Sequence, residues 1–117
     1  MGLDQFAKVR NPETGEVSEI AYWRKHNALH GWMEARYRKQ NPDFSGDFNC
    51  VPFELKAKDL DDLEFDIHFR GLPETNGFFF GSDSRFDDRK KEETSAFIQK
   101  ARNALAEGMQ VAYDSWW

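Results

Sequence analysis

Ala21-Tyr-Trp-Arg-Lys-His-Asn-Ala-Leu-His-Gly-Trp-Met33 gathers three aromatic rings, two histidines, an asparagine and two cations into one short run. Two sets of side chains in and beyond it recur at helical spacing. Tyr22, His26, Leu29, Met33 and Tyr37 form one stripe, and Trp23, Asn27, His30 and Glu34 lie along the edge beside it. The spacing predicts a helix over residues 20–40. Asn41-Pro42 stops it, because proline cannot continue the hydrogen-bond ladder and biases the residue before it away from α. Arg36, Arg38 and Lys39 stand in its last turns, where the helix dipole favours cations.

On the N-terminal side, residues 2–10 alternate loosely, with Leu3, Phe6 and Val9 apolar, and predict a strand. Asn11-Pro-Glu-Thr-Gly15 is turn chemistry, and Glu16-Val-Ser-Glu-Ile20 returns as the second strand of a hairpin. On the C-terminal side, residues 43–47 form a loop. Residues 48–55 are apolar enough for a strand, with Pro52 marking an edge or a bulge. Residues 58–69 fit two patterns. Leu60, Leu63 and Ile67 suit a helix, whereas Leu63, Phe65, Ile67 and Phe69 alternate as in a strand. A short helix over the first half is the better fit, and the second half stays open. After a turn-rich connection, Phe78-Phe-Phe80 between two glycines predicts a short buried strand. A second long helix is expected over residues 87–107, capped by Asp87 or Asp88 and ended by Gly108. The tail Val111-Ala-Tyr-Asp-Ser-Trp-Trp117 should dock its terminal rings on the body or on a partner. These elements predict one α+β domain, a small mainly antiparallel sheet with two main helices packed on one side.

The charge balance limits the partners. A net charge of −5 argues against general nucleic-acid binding, which needs a basic surface to release counterions. The average hides a split, with a basic stretch over residues 22–40 and eight acids against two lysines over residues 41–66. No apolar run approaches the length that spans a membrane, and no secretory signal opens the chain. A single cysteine, Cys50, excludes an internal disulfide and fits a reducing compartment. No local signature supports Cys50 as a nucleophile.

His26 and His30 are four residues apart, the helical spacing at which two imidazoles can share a metal. His26, however, aligns with the Leu29 stripe, and neither a metal nor another cofactor is predicted. Trp23, Arg24, Asn27, His30 and Glu34 make the stronger constellation. They offer a stacking face, a cation, a donor–acceptor pair and a switchable donor, suited to a ligand or a protein partner. A polar network that fixes a helix against a sheet would use the same residue types.

Met1-Gly-Leu-Asp4, the Ala21–Trp32 run and Leu72-Pro-Glu-Thr-Asn-Gly-Phe-Phe-Phe-Gly-Ser82 carry a family resemblance when taken in order. The chain resembles a group of small bacteriophage and prophage proteins of unassigned function. That group shares a Met-Gly-Leu-Asp start, a Tyr-Trp-Arg-Lys-x-Asn-x-x-His-x-Trp run and a Gly-Phe-Phe-Phe-Gly strand. Members are sometimes labelled as a phosphoglycerate kinase, for which this chain is far too short. The motif positions here are Trp23, Arg24, Lys25, Asn27, His30 and Trp32. The chain departs from the group over residues 43–70. The resemblance implies phage origin and action in the cytoplasm of an infected bacterium.

The expected function is a non-enzymatic accessory protein, serving host takeover or anti-defence, that binds a host protein or a small ligand. One alternative is a small hydrolase or transferase for a nucleotide-like substrate, with His30 as acid or base and Glu34 orienting it. Another is a structural protein that forms a homo-oligomer through Trp116 and Trp117.

Overall fold

The computed structural model describes residues 2–72 and 88–117. The predicted strand at residues 78–80 lies outside the described residues. Strands β1 (Asp4–Arg10) and β2 (Val17–Arg24) come first, followed by helix α1 (Asn27–Gln40). Strand β3 (Phe53–Leu55) leads to helix α2 (Ala57–Phe65), which runs on as one π-helical turn over Asp66–Arg70. Helix α3 (Asp88–Ala106) and strand β4 (Gln110–Trp116) complete the chain. The four strands form one antiparallel sheet in the order β2-β1-β4-β3. The helices cover one face of it, as predicted for an α+β fold.

The β1–β2 hairpin follows from its turn residues. Asn11 Oδ1 accepts the Glu13 amide at 2.9 Å, Gly15 takes a φ of 76°, and the Asn11 amide reaches the Glu16 carbonyl at 2.9 Å. Strict alternation then sorts the strands. Gln5, Ala7 and Val9 of β1 and Val111, Tyr113 and Ser115 of β4 are buried towards the helices. Lys8, Arg10, Gln110 and Trp116 are exposed on the other face. Ile20 is skipped in the pairing, since Ala7 faces Ala21 while Lys8 faces Glu19. This bulge twists the outer end of β2.

Two expectations are corrected here. The first helix does not begin at residue 20. Residues 20–24 belong to β2, and α1 starts only at Asn27. The helical stripe through Tyr22 and the edge through Trp23 therefore do not continue from Asn27 onward on one helix. Pairing with β1 outweighs a helical spacing that residues 26–40 satisfy without them. Lys25, at φ 58°, makes the switch from strand to helix within two residues, in a left-handed conformation that costs a side-chain-bearing residue energy. Lys25→Gly is expected to raise stability by about 0.5 kcal/mol, the relieved strain exceeding glycine's extra chain entropy. Urea melts of the two proteins check this.

The second correction concerns the tail. Residues 110–116 are a strand paired on both sides, near the middle of the sheet. The terminal rings part company, with the Trp117 ring nitrogen donating to the Phe48 carbonyl at 3.1 Å and Trp116 exposed. Of the predicted strand over residues 48–55, only Phe53–Leu55 pairs in the sheet. Phe48 is nonetheless fully buried, and Cys50 sits at φ 59°, breaking the extended run.

The ambiguous segment is helical throughout. Leu63 and Ile67 are buried, while Phe65 and Phe69 stack on each other at 4.9 Å on the exposed side. Their alternation is thus two helical faces, not a strand. Asp59 starts α2 by accepting the Lys56 amide at 2.8 Å. Arg36 bridges Asp59 and Asp62 and ties α1 to α2, while Arg102 bridges Asp61 and Glu64 and ties α3 to α2. Helix α3 ends at Gly108 as predicted, with φ 85° and an amide bonded to the Leu105 carbonyl at 3.0 Å. Among the described residues, no helix is long and apolar enough to cross a membrane.

Candidate functional site

A chain of buried polar side chains joins the sheet to α1 and α3. Gln5 is fully buried on β1. Its side-chain oxygen accepts the His26 amide at 2.9 Å, and its Nε2 donates to the His26 carbonyl at 2.9 Å and to the Tyr113 hydroxyl at 3.0 Å. One side chain thus holds both polar groups of the residue that caps α1. His26 Nδ1 accepts the Leu29 amide at 3.4 Å, and Nε2 lies 3.0 Å from Thr94 Oγ1. Thr94 donates its own proton to the Lys90 carbonyl at 2.7 Å, so the threonine oxygen accepts from His26 Nε2–H. The ring is a neutral Nε2–H tautomer whose two nitrogens do structural tasks.

The same logic sets His30. The Tyr113 oxygen accepts from Gln5, and its hydroxyl then donates to His30 Nδ1 at 2.8 Å. The proton of neutral His30 is therefore on Nε2. Burial pushes the His30 pKa down to about 4, and burial also raises that of Tyr113, with the Gln5 hydrogen bond opposing it. Both groups are neutral around pH 7.

The five predicted site residues divide into three places. Asn27 and His30 are fully buried in α1 beneath the sheet. Glu34 lies half-buried on the same helix, with its carboxylate paired to Arg38 at 2.8 Å. Trp23 and Arg24 are at the end of β2, and the ring of Trp23 meets Phe97 of α3 edge-on at 5.1 Å. No set of three histidine, cysteine, aspartate or glutamate side chains converges on a metal position among the described residues.

Arg24 opens onto a groove between β2 and α3, and Trp23, buried in the core, backs it. One cleft of about 370 Å³ is lined by Tyr22, Trp23, Arg24, Arg89, Lys90 and Glu93. A second, of about 410 Å³, continues it along Ile20, Ala21, Tyr22 and Trp23 on the strand and Glu93, Ala96, Phe97 and Lys100 on the helix. Successive strand side chains point to opposite faces. A cleft touched by four in a row therefore lies against the strand's edge, where no described strand pairs with it. On the helix, positions 93, 96, 97 and 100 share one face. Tyr22 is half-exposed beside the groove, its hydroxyl donating to Asp4 at 2.6 Å, which raises its pKa.

The α3 side of this groove escaped the sequence reading, although one signal was available. Arg89 and Lys90 stand in the first described turn of α3, the end at which the helix dipole disfavours cations. Arg89 pairs with Glu93 one turn on, at 3.1 Å, which offsets part of that cost.

Fold and groove together define an α+β domain with one sheet face covered and, among the described residues, a cleft beside the outermost strand. No protein-family profile matches the chain, and neither a characterised protein nor a solved structure matches it.

Proposed function

We propose that the chain is a phage-encoded, non-enzymatic accessory protein that binds a host protein in the cytoplasm of an infected bacterium. Its contact surface is the groove between β2 and α3. The observation that carries this reading is the pair of adjoining clefts along β2, which contain two of the motif residues, Trp23 and Arg24. The groove exposes Ala96 and the Tyr22 ring, backed by the buried Trp23 and Phe97, between charged rims. The buried histidine network then acts as the brace that holds β2, α1 and α3 in place around it.

Site-directed photo-crosslinking tests the reading. A photoreactive residue at Ala96 or Lys100 is expected to give one discrete adduct in host cytoplasm, while the same residue at Lys39 or Glu54, away from the groove, does not. Equal labelling from all four positions, or none from the groove pair, overturns it.

A further inference from the structure

We infer that the groove takes an extended peptide segment with acidic flanks and an apolar centre, added to the sheet as a fifth strand beside β2. The inference rests on the partner-binding reading and names its chemistry. Three observations carry it.

First, among the described residues β2 is the outermost strand next to β1, and its hydrogen-bonding direction can be assigned. The Lys25 amide bonds the Leu3 carbonyl at 2.8 Å, which marks Leu3 and Lys25 as a bonded pair. Antiparallel bonding alternates every second residue, so Trp23 and Ala21 also turn their amides and carbonyls to β1. Those of Tyr22 and Arg24 point away from the sheet, into the groove. Open edges are commonly blunted by a short strand, a proline or a bulge. The opposite edge, β3, is only three residues long, and the one bulge in β2 sits at Ile20, outside the Ala21–Arg24 run.

Second, the lengths are comparable. Residues 20–24 of β2 are four steps, about 13 Å at strand rise. The helix side runs from Arg89 to Lys100, eleven steps and thus about 16 Å at helical rise. Both walls fit a segment of about four to five residues, with the exposed Ala96 against its centre.

Third, the charge is local and opposite to that of the chain. Among the described residues, Arg24, Arg89, Lys90 and Lys100 line the groove against one acid, Glu93, which pairs with Arg89 at 3.1 Å. The whole chain carries −5. Arg89 and Lys100 stand at the two ends of the helical wall, where the flanking residues of the peptide fall. Main-chain bonding to β2 would supply affinity, and the alternate side chains facing α3 would supply selectivity.

The test uses the whole chain with three peptides. These are acetyl-Glu-Thr-Val-Thr-Glu-amide, its counterpart with lysine for both glutamates, and the glutamate peptide N-methylated at alternate amides. Amide hydrogen exchange and chemical shifts are read by NMR. Saturation with the first peptide is expected to slow exchange at the Tyr22 and Arg24 amides about tenfold. The lysine and N-methylated peptides are expected to bind about tenfold more weakly. Lys100→Glu, an exposed change, should reverse the preference between the glutamate and lysine peptides. Binding with the Tyr22 and Arg24 amides unprotected sinks strand addition, and equal binding of all three peptides sinks it too. Either result leaves the partner-binding reading standing if crosslinking from Ala96 persists. Protection of both amides in the free protein, with a dimer in light scattering, also overturns the inference, because a second copy then fills the groove.

Discussion

Lowering the pH from 7 to 5 is expected to cost the folded protein about 2 kcal/mol through His30 alone. The unfolded chain presents this imidazole with an ordinary pKa of about 6.5. In the folded protein, burial holds it near 4. As pH falls below about 6.5 the unfolded state gains a proton that the folded state refuses, so stability drops. The contribution is fully present above the unfolded pKa and is lost progressively down to the folded one, below which both states are protonated. The carboxylates of Asp62 and Glu64 add a separate acid loss. They are held below their usual range by hydrogen bonds from Arg36 and Arg102, so their contribution disappears at still lower pH. Urea unfolding at pH 7, 6 and 5 isolates the histidine window. His30→Gln keeps an acceptor for the Tyr113 hydroxyl but cannot titrate, and it should remove most of the slope over that range. An unchanged slope in His30→Gln would show that another group carries it.

Gln5→Leu is expected to destabilise the fold by about 3 kcal/mol, although leucine is apolar and similar in size. Gln5 makes three buried hydrogen bonds, two to the backbone of His26 and one to Tyr113. Leucine leaves all three partners buried without it, and an orphaned buried polar group costs about 1–3 kcal/mol. The loss concentrates at the start of α1, since His26 is both the anchor point and the cap. Arg10→Ala, at an exposed position on the same strand, should stay within about 0.5 kcal/mol of wild type. Denaturation midpoints at pH 7 compare the variants. A Gln5→Leu protein as stable as Arg10→Ala would mean that the polar chain is not a brace.

The two predictions share a cause. Polar side chains in this core stand where hydrophobic ones would ordinarily be, and Gln5, His26, His30, Thr94 and Tyr113 each bond a partner from another element. Gln5 lies on β1, Tyr113 on β4, His26 and His30 at and within the start of α1, and Thr94 on α3. A reading by residue type places glutamine, histidine and threonine at the surface or in a site. The constellation of Asn27 and His30 was visible in the sequence for that reason. Its burial was not, because the residues that surround it are distant along the chain.

Local chemistry was enough for much of the fold. The hairpin turn at residues 11–15, the end of α1 at Asn41-Pro42, the start of α2 at Asp59 and the end of α3 at Gly108 each depend on a few neighbouring residues. So does the apolar face of α3, where Phe97, Ile98 and Ala101 are buried. The class that follows, an α+β domain with helices on one side of an antiparallel sheet, was legible from these segments alone.

The run Ala21–Met33 shows where that legibility ended. Residues 22 and 23 satisfy a helical spacing with residues 26, 27 and 30, and nothing within the run contradicts it. What overrides it is the partner strand: Gln5 faces Trp23 and Phe6 faces Tyr22 in a pairing that spans the hairpin. Likewise, residues 110–116 carry only Val111 and Tyr113 as apolar inward residues, with Ser115 in the third place, a weak strand signal by itself. Strands β1 and β3 on either side make it one, through hydrogen bonds whose other halves lie up to 112 residues away. The sequence alone determined turns, caps and helical faces, since these are short-range. Tertiary structure decided which strand lies at the edge and which in the middle, and thereby created the groove between β2 and α3. An edge is a property of the assembled sheet, and no segment carries it by itself.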